Sequence, residues 1–127
     1  MVGGLMRLAD SSLAHTAAGA ALMGGWAFYA NSGHPMPAPL VAALVQGAMT
    51  AAITYGLKRV QEALVPRLPG VAGLVGPPLV CCAISFVLLF TIHSLAGTPE
   101  VLATLAVPTT VATLYAMLYT YRLWSRG

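Results

Sequence analysis

The chain has 127 residues, of which 58% are hydrophobic and only 7% are charged, whereas soluble domains carry about 25% charged residues. A domain this small buries only about 60–70% of its chain surface, so it cannot hide this much apolar surface from water, and its solvent must be lipid. The formal charge of +3 comes without a run of Lys and Arg or a basic face interleaved with aromatic residues, which excludes nucleic acid as a partner.

Four apolar segments have the length of a bilayer-spanning helix, which needs about 20 mostly apolar residues. None of them contains Asp, Glu, Lys or Arg, and in chain order they cover about residues 12–30, 38–57, 78–96 and 101–121. The sequence therefore predicts an all-α integral membrane protein that forms one domain over residues 1–127. We expect a four-helix bundle built from two helical hairpins, joined by a loop over residues 58–77.

Short polar residues and prolines mark the predicted helix ends. Residues 10–12 (Asp-Ser-Ser) are suited to cap the first helix, because a short side-chain oxygen accepts from the free N–H groups there. The third helix is expected to begin after Pro77 and Pro78. Pro99 suits the first turn of the fourth helix, where its missing N–H costs nothing.

The cations indicate an orientation, since all six flank the spans on the same predicted side: Arg7, Lys58, Arg59, Arg67, Arg122 and Arg126. The positive-inside rule makes this side cytoplasmic and places both termini in the cytosol. The Ala- and Gly-rich composition is typical of bacterial proteins, which points to the bacterial inner membrane. The first span could alternatively be a signal peptide. This is disfavoured because its apolar run is longer than the apolar core of a signal peptide, which has about 7–15 residues.

Small residues recur at every fourth position on the first two spans: Ala17, Ala21 and Gly25, and then Ala43, Gly47 and Ala51. Lipid tails are as apolar as leucine, so membrane helices associate through close packing at small residues. These two faces are therefore expected to dock on each other. The same pattern fits the seam of a homodimer equally well.

A polar seam is predicted through the bundle, formed by Gln46, Thr50, Thr54, Ser85, Thr104, Pro108, Thr109 and Thr113. Gln46, Thr50 and Thr54 share one helix face, and Pro108 lacks the N–H that would pair the carbonyl of Thr104. The seam is either interhelical glue, with hydrogen bonds of about 0.6 kcal/mol each, or a path for substrate or water. Gln46 is its most informative member, because an amide in mid-membrane needs a partner.

Two histidines and a carboxylate fall on the predicted outer face: His34, His93 and Glu100. They would suit a metal ion or a proton if they converged, although their spacing matches no established metal motif. Cys81 and Cys82 point about 100° apart on a helix, which makes them poor disulfide partners. We expect buried thiols there and no cofactor.

No catalytic pattern is present, because the sequence has no acidic pair within the spans, no phosphate loop and no Ser-His-Asp arrangement with a recognisable nucleophile turn. The sequence predicts a small, non-enzymatic, multi-pass protein that contacts the lipid bilayer and acts as a transport or envelope-accessory unit, as a homodimer or with a partner. Two alternatives stay open. One is a structural or assembly subunit of a larger membrane complex, and the other is a metal or redox protein that uses the outer-face histidines.

Overall fold

A computed structural model describes the backbone of residues 2–127 and the side chains of residues 13–127. Within these residues the chain forms four α-helices, with a short 3₁₀ turn (Val65–Arg67) after the second: α1 (Val2–Ala30), α2 (Ala38–Leu64), α3 (Ala72–Leu95) and α4 (Val101–Arg126). The prediction of an all-helical chain with four helices is confirmed.

The helices are longer than the sequence pattern predicted at their basic ends. α1 already begins at Val2, so residues 10–12 lie inside a helix and do not cap one. α2 continues past residue 57 to Leu64. The connection between α2 and α3 is consequently much shorter than the predicted loop over residues 58–77.

The start of α3 corrects the expectation that Pro77 and Pro78 precede it. α3 begins at Ala72 and contains both prolines. The chain reverses at Gly70, which has a φ of 57° that L side chains rarely adopt. Gly73 then lies against the 3₁₀ turn so closely that an added methyl group would sit 2.9 Å from the carbonyl oxygen of Leu68. The first turn of α3 therefore packs against the 3₁₀ turn and precedes Pro77 and Pro78 in the chain.

Three helical segments among the described residues are long and apolar enough to cross a membrane: Ala38–Arg67, Ala72–Leu95 and Val101–Arg126. Large apolar side chains point outward along them, including Leu44, Leu79, Val87, Leu102 and Leu118. Exposure on this scale is unfavourable in water, because burial of apolar surface is the main favourable term in folding. The outer surface of these helices is suited to contact with a lipid bilayer.

The bundle has two distinct ends. At the turn end, the segments after α1 and α3 (residues 31–37 and 96–100) lie together, since His34 contacts Glu100. At the basic end, α2 and α4 finish in segments that carry Lys58, Arg59, Arg67, Arg122 and Arg126.

Close packing of α1 on α2 uses small residues on both helices. A methyl group added at Gly24 would lie 3.0 Å from the carbonyl oxygen of Ala43, and one added at Gly47 would lie 3.4 Å from that of Ala20. Ala43, Gly47 and Ala51 are half-buried, so α2 presents the face that the sequence indicated. On α1 the contact runs through Ala20 and Gly24, whereas the expected residues, Ala17, Ala21 and Gly25, are exposed.

The core of the bundle follows a line of buried residues along α3, and α2 and α4 pack against this helix. Six residues of this helix, four apart in sequence, are buried: Gly73, Pro77, Cys81, Ser85, Leu89 and His93. Cys81 and Leu89 join Ile53, Leu57, Leu105 and Ala116 in the apolar core. Both cysteines are free thiols, Cys81 buried and Cys82 half-buried.

Candidate functional site

A central cluster of hydrogen-bonded side chains links α2 to α3 inside the bundle. The imidazole of His93 contacts Gln46 through Nε2 (2.9 Å to Oε1) and Thr98 through Nδ1 (2.8 Å to Oγ1). The amide nitrogen of Gln46 donates to Thr50 Oγ1 at 2.9 Å. Gln46 and His93 have no exposed surface, and Thr98 retains 7% of its own. These four residues form the central cluster.

The partners of His93 define its tautomer. Gln46 Oε1 can only accept, so His93 Nε2 carries the proton and donates it to the amide oxygen. His93 Nδ1 is then the acceptor for the hydroxyl of Thr98. A neutral imidazole therefore has both ring nitrogens paired, which is the arrangement that a buried polar group requires.

A turn-end cluster joins α1 to the start of α4 through Asn31, which is fully buried. Its amide nitrogen donates to the carbonyl of Ala27 at 2.8 Å and to Thr104 Oγ1 at 2.7 Å. Its amide oxygen accepts from the backbone N–H of Glu100 at 2.9 Å. The carboxylate of Glu100 lies 3.0 Å from His34 Nε2. Asn31, His34, Glu100 and Thr104 form this cluster.

The three residues of the predicted metal site are divided between these clusters. His34 meets Glu100, but His93 lies in the interior with both ring nitrogens already paired. Within residues 13–127, no group of three or more His, Cys, Asp or Glu side chains is arranged to hold a metal ion. Of the three predicted metal ligands, His34 and Glu100 therefore lie together, and His93 lies apart from them.

Replacing Asn31 by alanine should lower the free energy of unfolding by about 2 kcal/mol, because the backbone N–H of Glu100 loses its acceptor and the buried Thr104 Oγ1 loses the donor Asn31 Nδ2. Unfolding of the purified protein in SDS mixed micelles measures this change. Ser32→Ala is the matched control, since the neighbouring Ser32 is exposed and bonds only to the carbonyl of Tyr29. Equal stability of the two variants would show that Asn31 does not fasten the turn end.

A third polar cluster lies at the basic end. The amide nitrogen of Gln61 donates to the carbonyl of Ala116 at 2.8 Å and to Thr120 Oγ1 at 3.1 Å. Tyr119 donates its hydroxyl to Glu62 at 2.7 Å, and the ammonium of Lys58 lies 5.7 Å from the centroid of the Tyr119 ring. These contacts hold α2 against α4.

The remaining members of the predicted polar seam do not form a continuous chain of side chains. Thr54 and Thr113 donate to carbonyls one turn earlier in their own helices, those of Thr50 and Thr109. Ser85 Oγ and Thr109 Oγ1 are buried without a hydrogen-bond partner.

Pro108 is buried within α4, where its missing N–H leaves the carbonyl of Thr104 without its helical partner. One residue before Thr104, the carbonyl of Ala103 accepts the indole N–H of Trp26 at 3.0 Å. This bond gives α1 a second contact with α4 beside the turn-end cluster.

A cavity of about 360 Å³ lies between α1, α2 and α4. Most of its wall is apolar, and the apolar side chains that line it include Leu22, Met23, Ile53, Leu57, Leu89 and Val111. Gln46, Thr50 and Pro108 line it in the middle of the bundle, while His15, Lys58 and Gln61 line it toward the basic end. It is the feature that brings the predicted seam residues closest to a common space.

Several of these residues escaped sequence reasoning. Gln61 and Thr120 lie close to the predicted cytoplasmic border, where polar residues are expected to be wetted. Thr98 lies in a turn. The period of four between Leu57 and Gln61 was the one usable signal, because it places Gln61 on the buried face of α2.

These features define an all-helical protein with helices apolar enough to cross a membrane, three buried polar clusters and a cavity between α1, α2 and α4. Comparison of the chain with protein-family models, with curated proteins and with solved structures gives no match.

Proposed function

We propose that the chain is a non-enzymatic, multi-pass protein of the bacterial inner membrane that acts as a transport or envelope-accessory unit by holding a small ligand in its cavity. α1 is the fourth span of this arrangement, since it packs along α2 and turns Leu13 and Leu22 outward, 69% and 68% exposed. Both termini lie in the cytosol, because the basic end carries the cations.

The cavity is the observation that carries this proposal. The space of about 360 Å³ is a recess between three helices, partly open to the outer surface. Ligand sites are typically concave, about 300–1,000 Å³, and mostly apolar with a few polar groups. The cavity between α1, α2 and α4 has these properties, which supports a binding role.

The hydrogen bonds within the buried polar clusters support a structural role for these side chains. In the central cluster, Gln46, His93 and Thr98 satisfy one another, so no base is left next to a free nucleophile. The unpaired hydroxyls of Ser85 and Thr109 do not line the cavity. The chemistry that the cavity wall offers is binding by shape, by hydrogen bonds and by the charge of Lys58.

Filling the cavity should abolish ligand binding. Gly19 lines the cavity and has nothing within 4 Å of an added Cβ, so Gly19→Leu places a side chain in the space without a backbone clash. Gly25→Leu is the matched control, because Gly25 is on the same helix, exposed, equally uncrowded and outside the cavity wall. Native mass spectrometry of protein released with its lipids should show a bound non-protein mass on the wild type and on Gly25→Leu, and none on Gly19→Leu.

A bare wild-type chain, or a bound mass that Gly19→Leu retains, would contradict the proposal. Recovery of the chain only together with another protein would favour the alternative of an assembly subunit. The same spectra report whether the unit is a monomer or a homodimer.

A further inference from the structure

Among residues 13–127, Lys58 is the one Lys, Arg, Asp or Glu in the cavity wall, and it lies at the basic end. The ammonium of Lys58 is near the Tyr119 ring, and no described side chain forms a salt bridge with it, because the ion pairs within residues 13–127 are His34–Glu100 and Arg59–Glu62. Glu62, one helical turn further on, is already bonded to Arg59 and to Tyr119. The described part of the cavity wall thus offers a cation and no carboxylate.

The cavity is elongated along α2. Its wall includes Gln46 and Lys58, which are 12 residues apart and therefore about 18 Å apart along the helix axis at 1.5 Å per residue. Between them α2 contributes Ile53 and Leu57 as well as Thr50 and Thr54, and α4 adds Val111 and Ala112, so that the wall as a whole is mainly apolar. A volume of about 360 Å³ over this length leaves a narrow space that suits one extended hydrocarbon chain.

The cavity reaches the apolar outer surface between α1 and α4. These helices are tied at the turn end by the Trp26–Ala103 and Asn31–Thr104 hydrogen bonds. Closer to the basic end than these two bonds, Leu22 and Val111 line the cavity and are nevertheless 68% and 47% exposed. A rim of exposed apolar side chains admits a ligand from the bilayer more readily than one from water.

We propose, building on the proposed function, that the ligand is a fatty acid. Its carboxylate lies at Lys58, and its single acyl chain extends past Ile53 toward Gln46 and Leu89. A single ammonium balances a monoanion, whereas a phosphomonoester carries about −1.5 to −2 charges at pH 7 and would remain partly uncompensated beside it. This placement also matches a lipid-like orientation, with the head group at the membrane border and the chain in the apolar interior.

Photolabelling in lipid nanodiscs tests the head group and the location together. The probes are dodecanoate, dodecanol and dodecyl phosphate, each with a diazirine at the chain end. We expect dodecanoate to label peptides that contain Met23 or Leu89, about tenfold more efficiently than dodecanol does. A factor of ten corresponds to about 1.4 kcal/mol, which is near the lower end expected for a hydrogen bond to a charged group. Lys58→Gln should reduce labelling by dodecanoate to the level of dodecanol.

Arg59→Gln is the matched control, because it removes the neighbouring cation, which does not line the cavity, and should leave labelling unchanged. Equal labelling of the cavity by dodecanoate and dodecanol, or no effect of Lys58→Gln, would overturn the fatty-acid assignment while the cavity remained a ligand site. Stronger labelling by dodecyl phosphate would also overturn it. Labelling that persists in Gly19→Leu, or that falls outside the cavity for every probe, would remove the proposed function itself.

Discussion

Replacing His93 by alanine should lower the free energy of unfolding by about 3 kcal/mol, the largest effect expected of any polar residue in the bundle. Hydrogen bonds between membrane helices average only about 0.6 kcal/mol, so loss of the two bonds to Gln46 and Thr98 explains a minor part. The larger part comes from the empty space left by a fully buried ring and from a Gln46 amide oxygen left without a donor. SDS-induced unfolding in mixed micelles measures the sum.

A double-mutant cycle separates these contributions. Gln46→Leu leaves the buried Nε2–H of His93 without its acceptor, and His93→Phe leaves the buried Oε1 of Gln46 without its donor, so each should cost about 2 kcal/mol. The double variant replaces both by apolar groups of similar volume and should be about 1–2 kcal/mol more stable than the sum of the two losses predicts. Ser94→Ala, next to His93 but exposed, should have no effect. Strict additivity would show that the central cluster does not couple α2 to α3.

The sequence predicted the helices well and their mutual rotation poorly. Spans can be recognised because an apolar helix needs a fixed number of residues to cross a bilayer, and this count is local in sequence. Which faces meet is decided by packing among four helices. The Ala- and Gly-rich α1 shows the difficulty, since small residues occupy several of its faces and the spacing rule fits Ala17, Ala21 and Gly25 as well as Ala20 and Gly24.

The sequence indicated individual residues of the candidate site, but it did not indicate which of their side chains contact each other. Gln46 was expected to need a partner inside the bundle, and His93 was expected near a membrane border, yet no pattern connects positions 47 residues apart that bond to each other. The position of Thr98 depends on the turn after α3, where Gly97 takes a positive φ of 75°. The cavity had no local signal at all, because it arises where small residues of α1 and α4, such as Gly19 and Ala112, fail to fill the space beside α2.

The rotation of α1 can be tested directly at two adjacent glycines. Alanine is favoured over glycine inside a helix by about 1 kcal/mol, so Gly→Ala should stabilise α1 wherever the methyl group has room. At Gly25 it has room, because nothing lies within 4 Å of an added Cβ. At Gly24 the same methyl group would lie 3.0 Å from the carbonyl oxygen of Ala43 and 3.8 Å from the Cα of Gly47, and backbone atoms of α2 cannot swing aside as a flexible side chain would.

Gly24→Leu should therefore destabilise the protein by about 3 kcal/mol, at the upper end of overpacking costs, and Gly24→Ala by about 1–2 kcal/mol. Gly25→Ala should be neutral or slightly stabilising. Hydrogen exchange of the α1 amides adds a readout of position, because separation of α1 from α2 exposes this helix before the rest of the bundle unfolds. A greater loss for Gly25→Ala than for Gly24→Ala would instead place the contact on Ala17, Ala21 and Gly25, and α1 would then present a different set of side chains to the cavity.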